Sequence, residues 1–188
     1  HLFQQAVQAK KLLKTSKYEE LLKNASLNRH VCHGDYTYHN VIILDDKQNN
    51  QKGNMKRDKS FEKLNANFHI QEKDIVTSNF DKAVIGIQIN DLYHFIRKTM
   101  EKNNWDIDLG NKMIKTYDTY CNLSSDEAEI LYILLLYPEK FWKVNNYYFN
   151  GKKSWVPRRT IQKLTDIKDQ TNQKDKFLKQ LKEKLINK

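Results

Sequence analysis

The sequence predicts an α+β fold that is mainly helical with one small sheet, and three observations carry the prediction. Only 5 Gly and 2 Pro occur in 188 residues, too few turn formers for a β sandwich or barrel. Apolar residues recur at helical spacing along most of the chain. Short β-like stretches occur only around residues 30–44 and 75–83. A hydrophobic fraction of 39% over this length supports one sizeable core, so a single domain over residues 1–188 is expected.

Residues 1–25 read as one amphipathic helix, with Leu2, Ala6, Ala9, Leu12, Leu13, Leu21 and Leu22 in register and no breaker. After Ser26 a short apolar strand carrying Cys32 leads into His33-Gly34-Asp35-Tyr36-Thr37-Tyr38-His39-Asn40, and a second strand follows over 41–44. Residues 45–73 are polar and predict a mobile surface insertion, which would bridge a β-hairpin closed by a strand over 75–83. A helix over 90–100 turns Leu92, Tyr93, Phe95 and Ile96 inward, and another over 109–121 does so with Met113, Ile114, Tyr117 and Tyr120. Ser124 with Glu127 three residues on is a capping box that opens a strongly apolar helix, and Pro138 closes it. Apolar side chains nearly ring this helix, so it belongs at the centre of the core. Phe141, Trp142, Tyr147, Tyr148, Phe149 and Trp155 extend the core as an aromatic cluster. A charged C-terminal helix over 157–188 carries a thin stripe of Ile161, Leu164, Phe177, Leu178, Leu181 and Leu185.

Composition narrows the function. No run of about 18 apolar residues exists, so no membrane span is expected. The N-terminus lacks a signal-peptide pattern, and Cys32 and Cys121 lack metal-type spacing, which together favour a reduced, intracellular setting. The net charge of +10 permits attraction to acidic partners. Its lysines are interleaved with Asp and Glu in the C-terminal helix, the pattern of a solvated face, so no specific nucleic-acid site is expected.

The chemistry concentrates at residues 33–40. Asp35 stands five residues before Asn40, with His33 two before Asp35, which is the spacing of a kinase catalytic loop. In that chemistry the aspartate accepts the proton of an attacking hydroxyl, and the asparagine oxygen helps to hold magnesium against the nucleotide phosphates. Asp35 is therefore the candidate base and Asn40 a candidate metal ligand. His33 is expected to orient the loop through hydrogen bonds. Kinases place a further metal-binding carboxylate on the strand after the loop, where this chain reads Ser78-Asn79-Phe80-Asp81.

These blocks resemble the aminoglycoside phosphotransferase and choline kinase superfamily, itself protein kinase-like, whose pattern is HGD-x4-N, an Ile-Asp-aromatic segment, then an Asp-Leu pair that starts a helix. HGDYTYHNVI, NFDKAV, INDLYHFIRK and YPEKFWKVNNYYFNGKKSWVPRR look more specifically like the CotS-type spore coat proteins of endospore-forming bacteria. The resemblance implies the C-terminal lobe of a protein kinase-like fold, with the small hairpin carrying the catalytic loop. It implies that Asp91 braces that loop, although a helix N-cap would use the same residue. Asn79 falls where the superfamily has its metal-binding aspartate, and a neutral amide is the weaker ligand. Asp81, two residues on and on the same expected strand face, is the alternative metal ligand.

No glycine-rich phosphate loop and no strand lysine precede residue 33, so the N-terminal nucleotide-binding lobe is expected to be absent. His1 is no initiator methionine, which points to part of a longer protein. Two functions follow from the resemblance. One is a spore coat-associated protein on a kinase-like scaffold, inactive as this chain alone, with coat proteins as partners in the coat or mother-cell cytoplasm. The other is a fragment of a phosphotransferase that uses Mg, ATP and a small-molecule acceptor once the missing lobe is supplied.

Overall fold

The computed structural model describes residues 1–44, 75–151 and 155–185. The expected insertion at 45–73, Lys152 and Lys153, and the side chain of Leu185 lie outside them. The described residues form seven helices and two short antiparallel pairs, in the order α1 (Leu2–Thr15), α2 (Tyr18–Leu27), β1 (Val31–Cys32), β2 (Val41–Ile43), β3 (Ile75–Thr77), β4 (Val84–Ile85), α3 (Ile89–Lys102), α4 (Ile107–Cys121), α5 (Ser125–Leu136), α6 (Glu139–Phe149) and α7 (Arg158–Leu185).

The single N-terminal helix is a correction. The chain breaks at Ser16, whose backbone is extended and whose Oγ accepts from the Tyr18 N–H, so a hydroxyl that competes for backbone bonds divides the run in two. The strand expected over 75–83 is also shorter. β2 and β3 form the expected hairpin, with Val41 opposite Thr77 and Ile43 opposite Ile75. Asn79 then takes a left-handed conformation (φ 68°) and starts a 3-10 turn at Phe80–Lys82. β4 resumes beyond that turn and pairs with β1, Val31 against Ile85. The two pairs flank the 33–40 loop and fix both of its ends.

α5 is central, as its apolar circumference requires. Ile130, Leu131, Ile133 and Leu135 are 2% exposed or less, and the helix packs against α1, α3 and α7. Its capping box forms as expected, with the Glu127 N–H donating to Ser124 Oγ and the Ser124 N–H donating to Glu127 Oε2. Phe177, Leu178 and Leu181 of α7 close the core from the far side. Gly110 allows α4 to approach α7, because a Cβ there would stand 2.4 Å from the Phe177 ring.

Three faces differ from expectation. Tyr120 is 85% exposed, so α4 buries a narrower stripe centred on Ile114. Tyr147, Phe149 and Trp155 are exposed, leaving Phe141 and Trp142 partly covered on α6. Ile161 of α7 is exposed while the neighbouring Thr160 is buried. Periodicity assigned these residues to an apolar face, but the ends of α4, α6 and α7 extend past the neighbours that would cover them.

Candidate functional site

The loop between β1 and β2 is built from the backbone outward. Asp91 lies in the first turn of α3, and its carboxylate accepts from the N–H of His33 at 2.6 Å and of Gly34 at 2.9 Å. Two charge-assisted bonds to consecutive backbone amides hold the start of the loop on the helix. Gly34 is required there twice over. Its φ is +77°, and a Cβ would stand 2.1 Å from the Lys82 carbonyl oxygen.

His33 is buried and accepts at Nδ1 from the Asp35 N–H (3.2 Å). The ring proton is then on Nε2, which donates to the Ser78 carbonyl at 2.9 Å. One imidazole thus ties the loop to the segment after β3, with the Phe80 ring tilted against it at a centroid distance of 4.6 Å. Asn40 ends a 3-10 turn and is buried; its Nδ2 donates back to the Asp35 carbonyl at 2.8 Å. On the other side Asn79 Nδ2 donates to Asn40 Oδ1 at 3.4 Å, and the Ser78 N–H donates to the Asn40 carbonyl at 2.9 Å.

The Asp35 carboxylate does not stand free. Lys82 Nζ lies 2.7 Å from its Oδ2. That hydrogen bond holds the carboxyl below its ordinary range against the opposing effect of burial, with His94 and Lys98 adding positive potential. Sequence reasoning missed Lys82. It read residues 79–82 as strand, in which Lys82 and the loop have no reason to meet, whereas the turn after Asn79 brings them together.

His33, Asp35, Asn40, Asn79 and Asp91 are therefore brought into one network. Asp81 is not: it is exposed on the 3-10 turn, and no hydrogen bond or ion pair joins it to the loop among the described residues. The turn also removes the same-face strand geometry expected for Asn79 and Asp81. As magnesium donors the joined residues fit poorly. Of their two carboxylates, Asp35 is paired with an ammonium and Asp91 accepts two backbone N–H bonds, and where the metal-binding aspartate is expected they offer the neutral amide of Asn79. No group of three or more His, Cys, Asp or Glu among the described residues could hold a metal ion.

A second polar cluster lies under α6. Buried Arg97 bonds Glu101 (3.1 Å), and its Nε lies 3.0 Å from Glu139, an ionic contact rather than an aligned hydrogen bond. Tyr93, its hydroxyl pushed far up by burial, donates to Glu139. Burial raises the Glu139 carboxyl, but hydrogen bonds from Lys143 and Tyr93 and the Arg97 charge together outweigh it and keep it ionised.

Comparison with known proteins places this geometry. The fold superimposes on the crystal structure of an aminoglycoside phosphotransferase from Alicyclobacillus acidocaldarius with a TM-score of 0.77, over all of this chain and 48% of that one. At 16% identity this likeness concerns the fold alone. Spore coat protein S of Bacillus subtilis is 30% identical over 95 residues, half of this chain and 27% of that protein. The chain thus matches about a quarter of one relative's length and about half of the other's. The family described as "Spore coat putative kinase YutH" matches residues 42–181, which contain the 79–82 turn, Asp91 and the aromatic helix α6. With most of its length inside that match, this chain belongs to the YutH family of spore coat proteins.

Proposed function

We propose that this chain is the C-terminal lobe of a kinase-like fold, working in the spore coat as an assembly scaffold in which the former catalytic loop is a structural clasp. The observation that carries the reading is the Lys82–Asp35 ion pair. A general base must be available to the hydroxyl it deprotonates, and Asp35 instead directs one oxygen to an ammonium 2.7 Å away. Asn79 supports the same conclusion, because kinase chemistry pairs the loop asparagine with a metal-binding carboxylate, and a neutral amide is the weaker ligand there. ATP and Mg are accordingly not ligands of this chain in this reading. Exposed Tyr147, Phe149 and Trp155, set on a chain of net charge +10, suit contact with coat proteins carrying acidic surfaces.

A phosphotransferase that uses Asp35 as base is the competing reading, favoured by the intact spacing of Asp35 and Asn40. Complementation separates the two. In a sporulating strain lacking the gene, an Asp35→Asn allele of the full gene is expected to restore coat assembly and spore resistance to the level of the wild-type allele. Failure of a stably accumulated Asp35→Asn protein to complement, where Lys82→Met complements fully, would favour the enzyme, since the second variant breaks the same ion pair and leaves the candidate base in place.

A further inference from the structure

We infer that the pocket where α3, the α5–α6 turn and α7 meet is a binding site for a small monocarboxylate, with Lys174 and Arg97 as its cationic donors. The pocket shares no residue with the 33–40 loop or the 79–82 turn, and the inference stands apart from the reading of that loop.

Arg97 and Glu101 line the pocket from α3, Glu139 from the start of α6, and Lys174 from α7. Trp105, Leu135, Phe141 and Ile167 supply apolar walls. The space amounts to about 40 Å3. One water needs about 10–15 Å3, so the pocket admits about three water-sized groups. Two carboxylate oxygens and a methyl group are such a set. Two donors at this space have bonding capacity left over. The Lys174 ammonium makes no hydrogen bond or ion pair among the described residues, and lies 5.2 Å from the centre of the Trp105 ring. Arg97 is 5% exposed, and its Nε has no aligned hydrogen bond. Other polar groups of the pocket are already engaged. Glu101 accepts from Arg97, and Glu139 accepts from Tyr93 and pairs with Lys143. Thr171 Oγ donates to the Ile167 carbonyl, and Gln170 Nε2 donates to the Glu101 carbonyl.

Charge selects an anion of one unit. At and around the pocket Arg97, Lys140, Lys143 and Lys174 stand against Glu101, Glu139 and Asp175. Asp175 pulls on Lys174 but is itself held by Gln5 and His1. The positive charge left without a close partner is that of Lys174, and burial works against it. A carboxylate between Lys174 and Arg97 Nε would offset that burial with charge-assisted hydrogen bonds, while its alkyl group met the apolar walls. A dianion would bring a second charge for which no cation is spare, and a cation would be repelled.

The test uses the chain itself and acetate as the probe, followed by proton NMR. Acetate is titrated into wild type, Lys174→Met and Lys10→Met, the last removing one exposed lysine of α1 as a control for net charge. Wild type and Lys10→Met are expected to bind acetate saturably, with the same millimolar affinity. Lys174→Met is expected to bind at least about tenfold more weakly, because it loses a charge-assisted hydrogen bond. Circular dichroism checks that each variant is folded. A second readout needs no variant: in wild type, cross-relaxation is expected between the acetate methyl protons and the Trp105 indole protons. Absence of saturable binding by the folded wild type would overturn the inference and leave the pocket to water. Equal affinity in folded Lys174→Met would overturn it too, as would saturable binding without contact to Trp105.

Discussion

Asp91 shows how much a single residue can do at this site. It does not touch the candidate metal position, yet it holds two backbone amides that have no other partner within the loop. Replacing it by Ala leaves both donors unsatisfied, at a cost of about 2–4 kcal/mol. Urea unfolding is expected to show Asp91→Ala destabilised by that amount, with Asp91→Asn intermediate because its amide oxygen can still serve one N–H. Equal stability of all three would mean that the loop is held elsewhere. At this scale the sequence was informative where roles depend on fixed local spacing, as for His33, Asp35 and Asn40. It was silent on Lys82, 47 positions from its partner, because the contact depends on the backbone conformation of Asn79. The one available signal was Asn79 itself, a residue type that tolerates the left-handed region and so admits a turn where a strand was read.

Among the elements, the helices follow from periodicity to within about two residues at most ends, as expected when tertiary packing reinforces the pattern. The exceptions have local causes: Ser16 divides the first helix, and Tyr120 and Ile161 sit where no neighbour covers them. α7 shows an effect that apolar patterning does not predict. Lys174 is half-buried, its ammonium 5.2 Å from the centre of the Trp105 ring. Burial pushes its pKa down to about 8, against the pull of Glu101 and Asp175 and with some repulsion from Arg97. The folded chain therefore releases a proton that the unfolded chain keeps between pH 8 and the ordinary 10.5. Stability must rise with pH across that window, and below it the burial cost stays constant. Relative to Lys174→Met, wild-type unfolding free energy is expected to climb from pH 8 to 10.5. Parallel curves for the two proteins would contradict the docking of α7 over Trp105.

For the molecule as a whole, the mainly helical fold was legible because its core is a helix so apolar that only a central position can satisfy it. No helix among the described residues is long and apolar enough to cross a membrane. A phosphotransferase-like fold was legible in the loop, and the fold likeness bears that out. What the sequence could not give was the state of the site, since that depends on which side chain reaches Asp35 once the 79–82 turn has formed. Scaffold and enzyme differ in whether nucleotide and metal are bound. The most direct measurement is therefore calorimetric titration of ATP, with and without magnesium, into the full protein encoded by the gene and into this chain. The scaffold account predicts no saturable heat in either, with or without metal. Magnesium-dependent ATP binding in the micromolar range by the full protein, abolished by Asp81→Ala or Asn40→Ala, would contradict it.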